Sequence, residues 1–247
     1  MRALDWLFAP RCVGCGVVQT DRRSDPTPDP MCEPCSASLD EIGPACPTCS
    51  EPTEPPEGAG SPAGVSCKRC RAAPLALERI VSPWRFGGQL AVAIRRLKLA
   101  GHTSIARAIA PLWAPLVAAA AAPDGLVVPV PTHWRRRFRR GFDHTWLLAL
   151  HACASAGLPR PVPALRKLRA SPPQSTLTAA ERRINLRDCF ATRVPVAGRS
   201  IVLVDDVATT GTTLSECART LLDAGASRVV GVVLARATSL PATSAPR

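Results

Sequence analysis

The sequence predicts a mostly parallel α/β sheet domain preceded by a small domain folded around metal, and three observations carry that prediction. Eight of the 11 cysteines form four C-x-x-C pairs within the first 70 residues. Beyond residue 77, apolar runs of strand length alternate with stretches of helical period, the pattern of strands joined by crossover helices. The charge changes sign at the same place: ten acids face seven bases through residue 76, and nine acids face 24 bases after it. The basic part points to an anionic partner and the acidic part does not, so the two are expected to have separate jobs. The expected organisation is 1–76 as a cysteine-rich double ribbon, 77–236 as the α/β domain and 237–247 as a flexible tail.

In the first part the pairs are Cys12/Cys15, Cys32/Cys35, Cys46/Cys49 and Cys67/Cys70. A C-x-x-C knuckle turns tightly enough to aim two thiolates at one tetrahedral ion roughly 2.3 Å away, and two knuckles complete its shell. Four knuckles therefore predict two Zn2+ ions, structural because four thiolates leave no open position for water. The spacings fit ribbons in which the first pair joins the second and the third joins the fourth, and a cross-braced arrangement is the alternative. A disulfide framework conflicts with a reducing compartment, and no strand-then-helix context supports a thioredoxin-like role. Four thiolates around a divalent ion leave each site anionic, so docking to protein is expected of this part before binding to phosphates. The Pro- and Gly-rich run 51–64 is flanked by cysteines and reads as a flexible insertion within the second ribbon.

In the second part the strand candidates are 80–86, 126–130, 201–205 and 228–234. The most apolar stretch, 105–122, contains Arg107, Pro111 and Pro115, which predicts a helix broken by prolines and no membrane span. Without a span or a leader cleavage site, the cytoplasm is the expected location. A helix is expected over 213–224, with Leu214, Cys217, Ala218 and Leu221 on one face and Gly225 as its stop, which makes Cys217 a core residue. The segment before it, IVLVDDVATTGTT from residue 201, carries the chemistry. Four apolar residues fit a strand buried on both faces, and Asp205 and Asp206 follow where α/β sheets place their ligands. Ala208, Thr209, Thr210, Gly211 and Thr212 can then wrap backbone N–H groups and hydroxyls around a phosphate at the start of the next helix. Paired acids alone could be a Mg2+ site or a solvated turn. The ordered combination of strand, two acids, Gly/Thr loop and helix is specific.

That segment resembles the 5-phosphoribosyl-1-pyrophosphate motif of type I phosphoribosyltransferases. Further stretches narrow the resemblance to the ComF family, the competence-associated branch with an N-terminal cysteine-rich domain. They are PVPTHWRRRFRRGFDH (129–144), RLKLAG (96–101), and the spaced set Pro172, Pro173, Gln174, Leu177, Glu181, Arg182, Arg183 and Asn185. GFDH stands where GFNQ is commoner and Cys189 where a small residue is usual, so neither His144 nor Cys189 receives a catalytic role, and RLKLAG receives none either. The resemblance implies that Asp205 and Asp206 hold the ribose hydroxyls, that 208–212 bind the 5′-phosphate, and that Val130, Pro131, Thr132 and His133 meet pyrophosphate with Arg140 close by. It also implies Mg2+ as the companion of phosphoribosyl pyrophosphate, and a link to DNA-uptake proteins.

The arginines at 135, 136, 137, 139 and 140 admit two functional readings. They neutralise pyrophosphate locally, or they form a surface for nucleic-acid backbone, with Trp134 and Phe138 interleaved for single strands. A solvated basic helix is the bland alternative. Aromatics at 4% and the absence of tyrosine supply few other stacking platforms. His102 and His151 read as surface or packing residues, and 169–185 as a polar lid over a reactive cation. Two classes of function follow: a phosphoribosyltransferase whose acceptor the sequence does not name, or a non-catalytic protein handling single-stranded DNA with a sensor or relic ligand site.

Overall fold

The computed structural model describes residues 11–19, 29–53, 64–169 and 188–238, apart from the Arg136 side chain. All of the lid expected over 169–185 except Arg169, with its Pro-Pro-Gln and Glu-Arg-Arg residues, most of the 51–64 insertion and the C-terminal tail beyond residue 238 fall outside these residues.

Each ribbon is a knuckle, a short return and a one-turn helix. Helix α1 (Glu33–Ala37) starts right after Cys32, and α2 (Lys68–Ala72) right after Cys67. The two ribbons repeat each other closely. Cys12 N–H donates to Val17 O and Gly16 N–H to Cys12 O; in the second, Cys46 N–H donates to Glu51 O and Ser50 N–H to Cys46 O, each at 2.9 Å. The residue four beyond each first cysteine has positive φ, Gly16 at 81° and Ser50 at 54°.

Strands β1 (Ile80–Val81) and β2 (Trp84–Arg85) replace the single strand expected over 80–86. Ser82 and Pro83 divide them, since proline cannot donate to a sheet ladder. Both pieces pair parallel with β7 (Arg228–Arg236). Next come α3 (Gly88–Leu99) and α4 (Ser104–Ala120). The expected break in the second of these does not occur, since Pro111 and Pro115 both lie inside one continuous helix. They stand four residues apart, so the backbone partner that Pro115 fails to serve is the carbonyl of Pro111 itself. Burial of Ile105, Ile109, Trp113 and Val117 along one face offsets a cost of about 3 kcal/mol per proline.

The remaining elements are β3 (Leu126–Pro129), α5 (Trp134–Arg140), α6 (His144–Ser155), β4 (Leu165–Lys167), β5 (Phe190–Thr192), β6 (Ser200–Ala208) and α7 (Thr212–Asp223). The main sheet is parallel in the order β1-β7-β6-β3, and β4 and β5 form a separate antiparallel pair. Alternate residues of β6 feed two cores. Val202 and Val204 pack with α3, α4 and α6, while Ile201 and Leu203 pack with α7 and the small sheet. Cys12, Val13, Met31 and Cys35 belong to the first of these cores, so the first ribbon is packed into the α/β part. No helix among the described residues is long and apolar enough to cross a membrane.

Candidate ligand site

The eight paired cysteines gather into two groups, Cys12, Cys15, Cys32 and Cys35, and Cys46, Cys49, Cys67 and Cys70, with ligand atoms within 4.8 Å of one another. Pairing is therefore sequential and not cross-braced. The donor sets fit a tetrahedral thiophilic ion, and the backbone prepares them for it: Cys32 N–H points at Cys12 Sγ at 3.3 Å and Cys67 N–H at Cys46 Sγ at 3.2 Å. Burial pushes the Cys12 and Cys46 thiols up, but these and neighbouring N–H groups outweigh it and bring both down to about 6. Burial carries Cys35 up to about 12. These are two structural four-cysteine zinc sites.

In the α/β part, β6 runs to Ala208, three residues beyond its expected end, so both acids lie within the strand. The pleat then sends their side chains to opposite faces. Asp206 enters the α3/α6 side, where it is 3% exposed. Lys98 of α3 forms an ion pair with its Oδ2, and His144 Nε2 lies 3.9 Å from Oδ1. Burial raises the Asp206 pKa, Lys98 and then His144 lower it, and the net is below the ordinary carboxylate range. Asp205 faces the α7 side, is half-buried as a residue, and accepts from Asp206 N–H at 2.9 Å. Deep surroundings, then the charge of Asp206, hold its pKa well above the ordinary range.

The loop after β6 is fixed by shape. Gly211 has φ 80°, and a Cβ there would stand 2.7 Å from Ile80 Cδ1 and 3.3 Å from Leu75 Cδ1. Only glycine meets both constraints. Thr210 and Thr212 hydroxyls bond each other at 2.7 Å, Thr209 is exposed, and α7 begins at Thr212 with its first N–H groups facing the loop. On the neighbouring strand, Val130 N–H continues the ladder to Val204 O at 2.9 Å. Thr132 Oγ1 donates to Asp143 Oδ1 at 3.2 Å, and the same carboxylate caps α6 by accepting from Thr145 and Trp146 N–H. His133 caps α5, its Nδ1 accepting from Arg135 N–H at 3.3 Å. Arg140 Nη1 stands 3.4 Å from His144 Nδ1, which places His144 between this arginine and Asp206. Burial first, with Asp206 opposing it, lowers the His144 pKa.

The structure thus brings 208–212, 130–133, Arg140 and both acids to one edge. Two participants escaped the sequence reading: Lys98, which lies in RLKLAG, and His144. A lysine and a histidine on predicted helices carry no signal until the partner acid is located. Beside the 130–133 loop lies a cavity of about 650 Å3, lined by Trp134, Arg137, Trp146, Arg166, Lys167 and Arg193 among others, and neither acid is part of its wall. Trp134 and Phe138 are 60% and 87% exposed. Cys217 is buried, as its place on α7 predicts.

Residues 3–71 match the double zinc ribbon domain, and residues 161–243 match the phosphoribosyl transferase domain. The chain is 33% identical to the DNA utilization protein YhgH of Salmonella typhi, over 81% of this chain and 87% of that one. It is 28% identical to competence protein F of Haemophilus influenzae, over 69% of this chain and 78% of that one. A solved structure of the allosteric regulatory enzyme of purine biosynthesis overlaps 52% of this chain and 26% of its own at 24% identity, with a TM-score of 0.36.

Proposed function

Because the chain belongs to the ComF family, which includes the DNA utilization and competence proteins it resembles, we propose that its α/β part binds 5-phosphoribosyl-1-pyrophosphate at the carboxyl end of β6. One observation supports this most: the glycine-locked loop, Asp205 and the 130–133 loop leave two adjacent, hydrogen-bonded parallel strands at the same edge. In this reading 208–212 hold the 5′-phosphate through backbone N–H groups and hydroxyls. Asp205, the less buried of the two acids, offers its carboxylate to the ribose hydroxyls first, and Asp206 joins it where Lys98 yields. The 130–133 turn and Arg140 receive the pyrophosphate.

The 130–133 turn and Arg140 would hold the pyrophosphate together with a Mg2+ ion brought by the substrate, which would share its charge. As pyrophosphate leaves C1, positive charge grows on the sugar and negative charge on the leaving group, and Arg140 stabilises the second by position. No side-chain nucleophile is needed. Turnover calls for an acceptor, and pyrophosphate release with candidate bases or with single-stranded DNA identifies it. Calorimetric titration with phosphoribosyl pyrophosphate and Mg2+ tests the binding itself.

A second reading draws on the exposed Trp134 and Phe138 among the α5 arginines: a cytoplasmic accessory protein that carries single-stranded DNA during uptake, with the ligand site as sensor or relic. It predicts DNA binding that weakens steeply with salt and needs no phosphoribosyl pyrophosphate.

A further inference from the structure

The two zinc ribbons repeat each other in sequence and hydrogen bonding, yet they touch different parts of the candidate site. The first holds α3. Arg96 Nη1 donates to Gly14 O at 2.9 Å, and a Cβ on Gly14 would meet Gln89 Cβ at 2.9 Å. Two residues beyond Arg96 on the same helix stands Lys98, the partner of Asp206.

The second ribbon holds the back of the 208–212 loop. Ile80 N–H donates to Thr48 O at 2.8 Å, and Ser50 Oγ donates to Ile80 O at 2.7 Å, so both backbone groups of Ile80 are tied to the knuckle between Cys46 and Ser50. The Ile80 side chain fills the space where Gly211 lacks a Cβ, and it also packs beside Gly231 on β7. Ser50 is the informative residue. Its φ of 54° is left-handed, a conformation that L-residues adopt at a cost, and the matching position in the first ribbon is Gly16. A serine kept where its own repeat uses glycine gains something in exchange for the strain, and the bond to Ile80 is that gain.

A second path runs through Glu51. Its Oε2 accepts from Arg69 Nη2 at 3.1 Å and from Arg236 Nη2 at 2.9 Å, and Arg69 Nη2 also lies 3.6 Å from Cys49 Sγ. Arg236 is fully buried and ends β7 directly opposite Ala208, the first residue of the loop. Among the described residues its Nε and Nη1 meet no acceptor, so Glu51 is the contact that fixes it.

We infer that the second zinc ribbon is the positioning element of the phosphate loop, acting through Ser50 on Ile80 and through Glu51 on Arg236, and that the first ribbon has no such role. The inference takes its name for the loop from the proposed function, but it concerns the order of 208–214 with no ligand present. Metal bound by Cys46, Cys49, Cys67 and Cys70 fixes the knuckle that carries Thr48, Ser50 and Glu51, and so fixes the wall behind Gly211.

Hydrogen exchange of the full-length, metal-loaded protein without ligand tests it, read on peptides spanning 205–216 and scored beside zinc content. Ser50→Gly relieves the strained backbone and removes the CH2OH side chain, and with it the bond to Ile80 O. It is expected to keep both zinc ions and the exchange of β6 residues 201–204, yet to speed exchange of 208–214 roughly fivefold. A purely local role for Ser50 predicts unchanged or slower exchange there, and that result overturns the inference. Cys49→Ser and Cys15→Ser extend the test: the first should loosen 208–214 and the second should not. Equal loosening by both, or by neither, contradicts the assignment. If Cys49→Ser fails to fold, Ser50→Gly decides alone. Binding of phosphoribosyl pyrophosphate plays no part in the readout, so failure of that reading is seen separately.

Discussion

At the carboxyl edge of the sheet, the turn leaving β6 and the turn leaving β3 stand side by side and are built differently. The first is short, locked by Gly211 at φ 80°, and walled by Ile80 and Leu75 from the core. The second passes through Thr132 and His133 into α5, where five arginines and two largely exposed aromatics occupy seven residues. In the proposed reading the first region selects its ligand by shape, with Asp206 already paired to Lys98 inside the protein. The second, in the same reading, selects only a sign of charge. Substitutions in the first should therefore act on stability and on one ligand, and substitutions in the second on salt dependence and little else.

The largest effect is expected behind the first region, at Lys98. Lys98→Met leaves Asp206 as a buried carboxylate without its lysine partner. Loss of about 3 kcal/mol in urea unfolding is expected, at the low end for buried pairs because the lysine is 28% exposed. Adding Asp206→Asn should recover part of that loss, and simple additivity would show that the pair is not coupled.

Gly211→Ala comes next. The left-handed backbone costs an alanine roughly 1–2 kcal/mol, and Ile80 must also move, so a loss of about 2 kcal/mol is expected. Thermal unfolding measures it.

Asp205→Asn should act in the opposite direction. The folded protein holds the Asp205 pKa above the ordinary 3.8, through burial and then the charge of Asp206. Such a group contributes its stability in full below the ordinary pKa and loses it as pH rises through the raised one. The variant should match wild type near pH 3 and exceed it at pH 8, with the gap opening as pH climbs. Urea unfolding at several pH values reads this directly, and a gap that shrinks with rising pH contradicts the assignment.

The smallest change in stability, within about 0.5 kcal/mol, is expected for Arg135→Ala with Arg137→Ala on the exposed helix. If that helix carries single-stranded DNA, the same pair of changes should make the salt dependence of binding shallower by up to about two contacts.

How much of this was legible in the sequence depends on the distance over which each residue acts. The four cysteine pairs, β6 and α7 are local patterns, and the structure keeps them within a few residues of their expected ends. Gly211 was legible as loop chemistry, though not as a residue pressed by Ile80, which lies 131 positions earlier. Continuity of α4 through two prolines depends on burial against α6 and the sheet, which a proline rule cannot see. The division of the acids between two faces needed the true end of β6. Lys98 and Arg236 were illegible because a buried cation is defined by its partner, and their partners Asp206 and Glu51 lie far away in the chain. Ser50 shows the opposite case, since aligning the two ribbons on their cysteines already sets it against Gly16.

The central claim is that the edge formed by Asp205 and 208–212 binds phosphoribosyl pyrophosphate. Calorimetric titration of wild type and Asp205→Asn with phosphoribosyl pyrophosphate at fixed Mg2+ tests it most directly. Charge-assisted bonds to ribose hydroxyls contribute on the order of 1.5–3 kcal/mol each. Loss of the charge at Asp205 should therefore weaken binding by roughly a hundredfold, each tenfold being about 1.4 kcal/mol, with zinc content unchanged. Equal affinity in the two proteins, or no binding by folded wild type, would contradict the account.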